Sequence, residues 1–194
     1  MLLFFAGLLL FFGGHALVFA QGSRAQLIAQ YGKPAYMGLV SVVTLAGLLC
    51  LIYGYSGFAL SELGATQLWF PPTWMKHVTF LVMLPVFPLL FAMYFRGHLA
   101  RYAKHPMILA VKIWAFAHLL ANGTVAAAVL FGAFLVWGIL DRISLAKRDR
   151  AAGTVFVAGP AWKDAAAVGL GLGVYVFMIA WGHAWIVGVG LIGA

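Results

Sequence analysis

Residues 105–123 read HPMILAVKIWAFAHLLANG, an apolar stretch that carries two histidines and a lysine. It opens an apolar run that continues to residue 141. As one helix, residues 106–141 would be about 54 Å long, which exceeds the hydrocarbon core of about 30 Å. Asn122-Gly123 is a turn dipeptide in the middle of this run. The stretch therefore predicts two membrane helices joined in a tight hairpin.

The composition excludes a soluble globular domain. Of the 194 residues, 65% are hydrophobic and 8% are charged, whereas soluble domains average about 25% charged residues. No internal repeat and no soluble domain is visible in the sequence. We therefore expect residues 1–194 to form a single transmembrane domain whose main partner is the lipid bilayer.

Six apolar segments account for most of the chain. Each is close to the about 20 residues that a helix needs to cross a bilayer. Pro85 and Pro88 are expected to kink the third segment. The sequence thus predicts an all-α polytopic membrane protein, a bundle of six transmembrane helices with the fourth and fifth as the hairpin. The segments are 2–20, 36–54, 78–95, 106–122, 124–141 and 166–192.

The basic residues are distributed unevenly among the predicted loops. Ten of the twelve lysines and arginines fall in the first, third and fifth loops. Short loops rich in Lys and Arg face the cytoplasm, so both termini are expected on the opposite, periplasmic side. The same pattern explains the net charge of +8 without nucleic-acid binding.

Acidic residues and cysteine are too few for several kinds of chemistry. Cys50 is the single cysteine, which excludes an internal disulfide, a zinc knuckle and a covalent C-x-x-C-H haem. The four acidic residues fall in predicted loops or at span ends. A proton-coupled transporter usually needs a carboxylate at mid-membrane, and paired-carboxylate catalysis also lacks its residues. Histidines are the metal-binding groups that are left.

The histidines divide by their position along the spans. His77, His98 and His105 lie at span boundaries, where interfacial polar side chains are common. His15 and His118 lie inside apolar sequence, and a buried histidine can simply hydrogen-bond a neighbour. Neutral imidazole is also the commonest metal ligand, and two histidines can hold a haem iron axially. His15 and His118 are therefore interpreted as metal or haem ligands.

The second ligand beside His118 is left open by the residues alone. Residue counts along the helices place His183 near the depth of His118 and His15 nearer the other surface. Helix tilt compensates for only part of such a difference. Both pairings, His118 with His15 and His118 with His183, are kept.

One helical face around His118 is suited to a flat macrocycle. Trp114 and Asn122 lie on this face, each four residues from His118. An ordinary helix–helix interface has the same pattern. Lys112 is a further cofactor contact, able to pair with a haem propionate, with snorkelling toward the headgroups as the alternative.

These residues carry a resemblance to a known family. His105-Pro106, Trp114 and the AHLLANG stretch at 117–123 resemble the signature of the NnrU family. Upstream, His15 and the YMGL stretch at 36–39 also fit, so the resemblance covers nearly the whole chain. The family comprises bacterial inner-membrane proteins linked to nitrite and nitric oxide reduction. It also includes the plant and cyanobacterial 15-cis-zeta-carotene isomerase, which holds haem b between two histidines.

The resemblance implies a bacterial inner-membrane protein with non-covalent haem b, whose ligands map onto His15 and His118. Isomerases tend to have two adjacent histidines after the Asn-Gly turn, where this chain has FGAFL at 131–135. This departure favours the bacterial branch.

Three functions follow from this reading. The first is a haem-containing accessory, redox or sensor protein of denitrification, acting with a small apolar or gaseous ligand. The second is a haem-dependent cis-trans isomerase of a polyene such as zeta-carotene. The third is a non-catalytic membrane scaffold with structural histidines. No catalytic residue is assigned, so whether the protein is an enzyme stays open at this point.

Overall fold

The computed structural model describes residues 1–17 and 19–192, and the regular structure within them is helical, as the sequence predicted. A single isolated antiparallel bridge, Gln67 with Thr124, is the one β-type pairing in this part of the chain. A π-helical turn, Met178–Gly182, joins the last two α-helices. The α-helices are α1 (Leu2–Ala16), α2 (Gln21–Tyr31), α3 (Lys33–Ala59), α4 (Glu62–Ala65), α5 (Met75–Met83), α6 (Val86–Phe95), α7 (His98–Ala103), α8 (Pro106–Ala121), α9 (Val125–Ala151), α10 (Trp162–Phe177) and α11 (His183–Val187).

Four helical segments in the described residues are long and apolar enough to cross a membrane. They are Lys33–Ala59, Met75–Phe95, Val125–Ala151 and Trp162–Val187. The apolar helices α1 and α8 are shorter, with 15 and 16 residues. α1 reaches the length of a span only when it is taken together with α2 as one broken segment.

Prolines and the Asn-Gly dipeptide mark the helix ends that the sequence indicated. α5 ends at Met83 and α6 begins at Val86, so the Met75–Phe95 span is interrupted beside Pro85. Pro106 occupies the start of α8, where its missing N–H costs no hydrogen bond. α8 ends at Ala121 and α9 begins at Val125, so the interruption falls on the predicted turn.

Contacts divide the chain into two compact units. Unit 1 consists of Met1–Phe70 and Gly123–Leu130, and unit 2 consists of Pro71–Asn122 and Phe131–Ala194. The division passes through the Asn122-Gly123 peptide and again through α9.

Unit 1 is built on an antiparallel pair, α1 and α3, with glycines at the contact. A Cβ on Gly7 would lie 2.6 Å from the Leu51 backbone nitrogen, and one on Gly54 would lie 2.5 Å from that of Phe4. One on Gly47 would overlap the backbone of Phe11. Small residues let membrane helices approach to backbone contact. The glycines of this contact recur at seven-residue spacing, Gly7 with Gly14 on α1 and Gly47 with Gly54 on α3.

The loop that precedes α9 is held against the segment after α4 in unit 1. The Leu68 backbone N–H donates to the Gly123 carbonyl oxygen at 2.7 Å. A Cβ on Gly123 would overlap the Trp69 carbonyl oxygen. The glycine of the Asn-Gly dipeptide is therefore required by a close backbone approach, in addition to the turn.

The core of unit 2 lies where α6 meets α8. Val86, Leu89 and Ala110 are buried there, and Trp114 packs against them from α8. α10 lies against α6, and a Cβ on Gly171 would overlap Pro88. Through these contacts, α6 positions the α8 face that carries Trp114 and, one turn later, His118.

Candidate functional site

His118 is held in one tautomer near the end of α8. Its Nδ1 lies 2.8 Å from the carbonyl oxygen of Trp114. Because a carbonyl oxygen only accepts, Nδ1 carries the proton and donates, so Nε2 of the neutral ring presents its lone pair. No described residue hydrogen-bonds to that Nε2. A histidine that ligates a metal through one ring nitrogen usually donates its other ring N–H to a carbonyl oxygen, a carboxylate or water.

His183 has the same arrangement and lies beside His118 in unit 2. Its Nδ1 donates to the Val189 carbonyl oxygen at 2.7 Å, which again leaves Nε2 as the acceptor nitrogen. The centres of the two imidazole rings are 6.5 Å apart, with 23° between the ring planes. The π-helical turn Met178–Gly182 directly precedes His183. Such turns are frequent at functional sites.

This geometry fits an iron held between two imidazoles. The ring centres of His118 and His183 are 6.5 Å apart, so a single iron would be within reach of both imidazoles. In the described part of unit 2, this pair supplies the two protein ligands that a bis-histidine haem requires.

His15 lies in unit 1, in the last turn of α1. Its Nδ1 donates to the Phe11 carbonyl oxygen at 2.7 Å, the same i−4 contact that His118 makes. Its ring centre lies 4.4 Å from that of Phe11. The neighbouring Gly14 belongs to the glycine contact with α3, so this packing fixes the position of His15 within unit 1.

The three other predicted cofactor residues have different surroundings. Trp114 contacts the His118 ring, with 5.1 Å between ring centres. Asn122 is exposed, and its Nδ2 donates to the His118 carbonyl oxygen at 2.8 Å, which caps the end of α8. Lys112 lies over Gly138 of α9, and within residues 1–17 and 19–192 no acidic side chain forms an ion pair with it.

Two phenylalanines of α9 line the surroundings of His118 and Trp114. Phe131 lies against the His118 ring, with 4.6 Å between ring centres and 30° between the planes. Phe131 and Phe134 both meet the Trp114 ring edge-on, at 5.1 and 5.3 Å. An aromatic wall, with no further imidazole from these positions, surrounds His118 on the α9 side.

Two boundary histidines form pairs with aspartates that the sequence analysis did not identify. His98 Nδ1 donates to Asp164 at 2.9 Å, and the same carboxylate accepts the backbone N–H groups of His98 and Leu99 at 2.8 Å. His105 Nε2 donates to Asp149 at 2.8 Å. Both partners are more than forty residues away along the chain, so no local pattern could indicate them.

The described residues contain no cluster of three or more His, Cys, Asp or Glu side chains that could hold a metal ion. A conventional zinc or iron site built by protein side chains alone is therefore not found in this part of the chain. A haem iron needs only two protein ligands, and the pair His118 and His183 supplies that number.

Comparison with known proteins identifies the family of the chain. No curated protein and no solved structure matches the chain. The sequence model of one family, described as NnrU protein, matches residues 3–191, nearly the whole length. The match includes the His105-Pro106 start of α8, the His118 region and the Asn122-Gly123 turn. The chain is an α-helical membrane protein and belongs to the NnrU family.

Proposed function

We propose that this protein binds haem b non-covalently within the membrane, with His118 as one axial ligand. The observation that carries the proposal is the paired imidazole arrangement in unit 2. Two rings lie 6.5 Å apart, and each is anchored through Nδ1 to a backbone carbonyl. The aromatic wall of Trp114 and Phe131 provides the apolar surroundings that a porphyrin needs.

The second ligand has two candidates that rest on different grounds. The contacts within unit 2 support His183, because its ring is beside that of His118. The family resemblance supports His15. Its Nδ1 donates to the carbonyl oxygen four residues earlier, as the Nδ1 of His118 does. The experiment below separates the two.

A bound haem would supply one-electron chemistry and an iron able to take a gaseous ligand. The resemblance to a family linked to nitrite and nitric oxide reduction supports an accessory, redox or sensor role in that metabolism. In this role His118 and its partner set the iron's ligand field, and the phenylalanines at 131 and 134 exclude water from the His118 side.

The test is the absorption spectrum of the full chain purified in detergent from haem-replete cells. We expect a Soret band of low-spin iron, and complete extraction of the pigment by acidified acetone because Cys50 cannot form a C-x-x-C-H link. His118→Ala should convert the iron to a high-spin form that takes up added ligand, since an axial position opens. Purified protein without any Soret band contradicts the proposal.

Three further variants identify the second ligand. If His183 is that ligand, His183→Ala reproduces the spectrum of His118→Ala and His15→Ala does not. If His15 is that ligand, the two results are exchanged. His77→Ala serves as the matched control because the imidazole of His77, in the first turn of α5, has no hydrogen bond or ion pair among the described residues. A control variant with the same spectral change would show a general loss of haem rather than loss of a ligand.

We also propose that α1 and α8 cross the bilayer, which gives six spans with both termini in the periplasm of a bacterial inner membrane. The support is the bias of basic residues and the turn between α8 and α9. A reporter that is active only in the cytoplasm, fused after residue 194, should be inactive. An active fusion would contradict the six-span topology.

A further inference from the structure

A cavity lined by basic side chains lies at the end of unit 2 where α8 begins and α9 ends. Its volume is about 420 Å³. It is formed by Lys104, by the last three turns of α9 and by residues 153–156, which follow α9. The lining includes Lys104, Arg142, Asp149, Arg150, Thr154 and Phe156. We call it the basic cavity.

The charges in the basic cavity are unbalanced. Lys104, Arg142 and Arg150 contribute three cations, and Asp149 contributes the one carboxylate. That carboxylate already accepts a hydrogen bond from His105 Nε2 at 2.8 Å. The other nearby aspartate on α9, Asp141, pairs with Arg148 at 3.7 Å. The side chains that line the cavity therefore carry an excess of positive charge.

Arg142 has a donor that needs an acceptor. Its Nη1 is buried and has no hydrogen-bond partner among the described residues. A buried donor without a partner costs about 1–3 kcal/mol, and more for a charged group. A guanidinium is also suited to forked hydrogen bonds with the oxygens of phosphate or carboxylate. An anion with several acceptor oxygens would satisfy this donor.

The walls of the cavity restrict what can enter. Phe156 closes one side, with Lys104 Nζ 5.8 Å from its ring centre and the His105 ring edge-on at 5.6 Å. Lys104 and Arg150 are exposed, so they stand where a ligand would enter, and the Thr154 hydroxyl adds a neutral donor. The volume of about 420 Å³ exceeds what a halide needs and is within the about 300–1,000 Å³ of small-molecule sites.

We propose that the basic cavity binds a phosphate-bearing anion, with Arg142 and Lys104 as the principal contacts. Basic pockets beside membrane helices bind phosphorylated lipid headgroups, and a soluble phosphate ester has the same oxygens. The shared chemistry is a phosphate group held by a guanidinium and an ammonium. The site is separate from the histidine pair, so it does not depend on haem.

The test uses the full chain in detergent and follows its thermal unfolding. Inorganic phosphate at constant ionic strength, soluble glycerol phosphate and vesicles of phosphatidylglycerol in phosphatidylcholine are the three probes. A ligand that binds only the folded state raises the unfolding temperature. We expect at least one probe to do so, and Arg142→Gln and Lys104→Gln each to weaken its apparent affinity about tenfold or more.

Lys147→Gln is the matched control, because Lys147 is an exposed cation on α9 that does not line the cavity. Its response to each probe should equal that of the unmodified chain. If Arg142→Gln fails to fold, Lys104→Gln and Arg150→Gln decide, since both side chains are exposed.

The outcomes separate the sources of the phosphate. A response to phosphatidylglycerol alone assigns the site to a lipid headgroup, and a response to the soluble probes alone assigns it to a phosphate ester. Stabilisation that disappears equally in Lys147→Gln reflects general charge and overturns the proposal, as does no response to any of the three probes.

Discussion

Unit 1 and unit 2 hold their helices together by different means. In unit 1, α1 and α3 meet through glycines whose missing side chains leave backbone in contact with backbone. In unit 2, where Gly171 also brings α10 close to α6, two carboxylates in addition fix the segments at the ends of the helices, Asp164 at the start of α7 and Asp149 at the start of α8. Glycine contacts depend on shape alone, whereas the carboxylate contacts depend on hydrogen bonds at the ends of helices.

This difference has a physical reason. Apolar helices gain no hydrophobic free energy by associating in lipid, so close packing of small residues contributes most. Carboxylates are costly inside the hydrocarbon but can serve at helix ends, where backbone N–H groups lack partners. Three of the four acidic residues of the chain belong to unit 2.

The largest expected effect is that of filling a glycine contact in unit 1. Gly47→Leu should destabilise the protein by an amount at or above the upper end of the about 1–3 kcal/mol typical of overpacking, because the new side chain would meet the backbone of Phe11. Thermal unfolding in detergent measures it. Gly57→Ala, on the same helix with open space at its Cβ, should be neutral or slightly stabilising because alanine favours helix. Equal losses in both variants would contradict the assignment of the effect to the contact between Gly47 and Phe11.

A smaller effect is expected from removing the carboxylate that caps α7. Asp164→Ala should cost about 1–2 kcal/mol, the range of a lost helix cap, because the N–H groups of His98 and Leu99 lose their acceptor. The same unfolding measurement applies. Glu62→Ala, an exposed acidic residue in unit 1, is the charge-matched control and should cost less. A neutral Asp164→Ala variant would show that water replaces the carboxylate fully.

The smallest effect is expected for the pair of His105 and Asp149. Their side chains are 20% and 19% exposed, so solvent screens the interaction only in part. A double-mutant cycle of His105→Ala and Asp149→Ala should give a coupling free energy of about 1 kcal/mol, near the top of the range for exposed pairs. A coupling free energy of zero would remove His105 from the contacts that fix unit 2. The difference in free energy of unfolding between the glycine contacts of unit 1 and the carboxylate contacts of unit 2 would then be larger.

The helices and their ends could largely be predicted from the sequence. Apolar composition indicated an all-α membrane protein, and Pro85, Pro106 and Asn122-Gly123 each marked a helix end that the structure contains. These are local signals, because a proline lacks an N–H and an Asn-Gly pair favours a turn wherever it stands. The number of spans beyond the four long helices depends on α1 and α8, whose lengths fall below the usual limit.

The partners of individual residues could not be predicted in the same way. The sequence analysis did not identify Gly7 and Gly14 as contact residues, and their seven-residue spacing does not indicate which helix lies opposite. The sequence placed Asp149 and Asp164 in predicted loops or at span ends, whereas the structure has them in α9 and α10. Their histidine partners are distant in sequence, so no local pattern indicated these contacts. Residue counts could place His118 and His183 at similar depth. They could not indicate that the rings lie side by side, because that depends on how α10 and the π-helical turn rotate His183.

The π-helical turn before His183 amounts to one residue added to an otherwise α-helical segment. A helix turns by about 100° per residue, so deleting or inserting one residue in α10 would swing His183 about a quarter-turn away from His118. A deletion between 178 and 182 would instead turn the wide π-helical turn into a regular helix and leave the helix beyond it in register. The length of α10 is therefore itself constrained, and an insertion or deletion in it would separate the two imidazoles without changing either histidine.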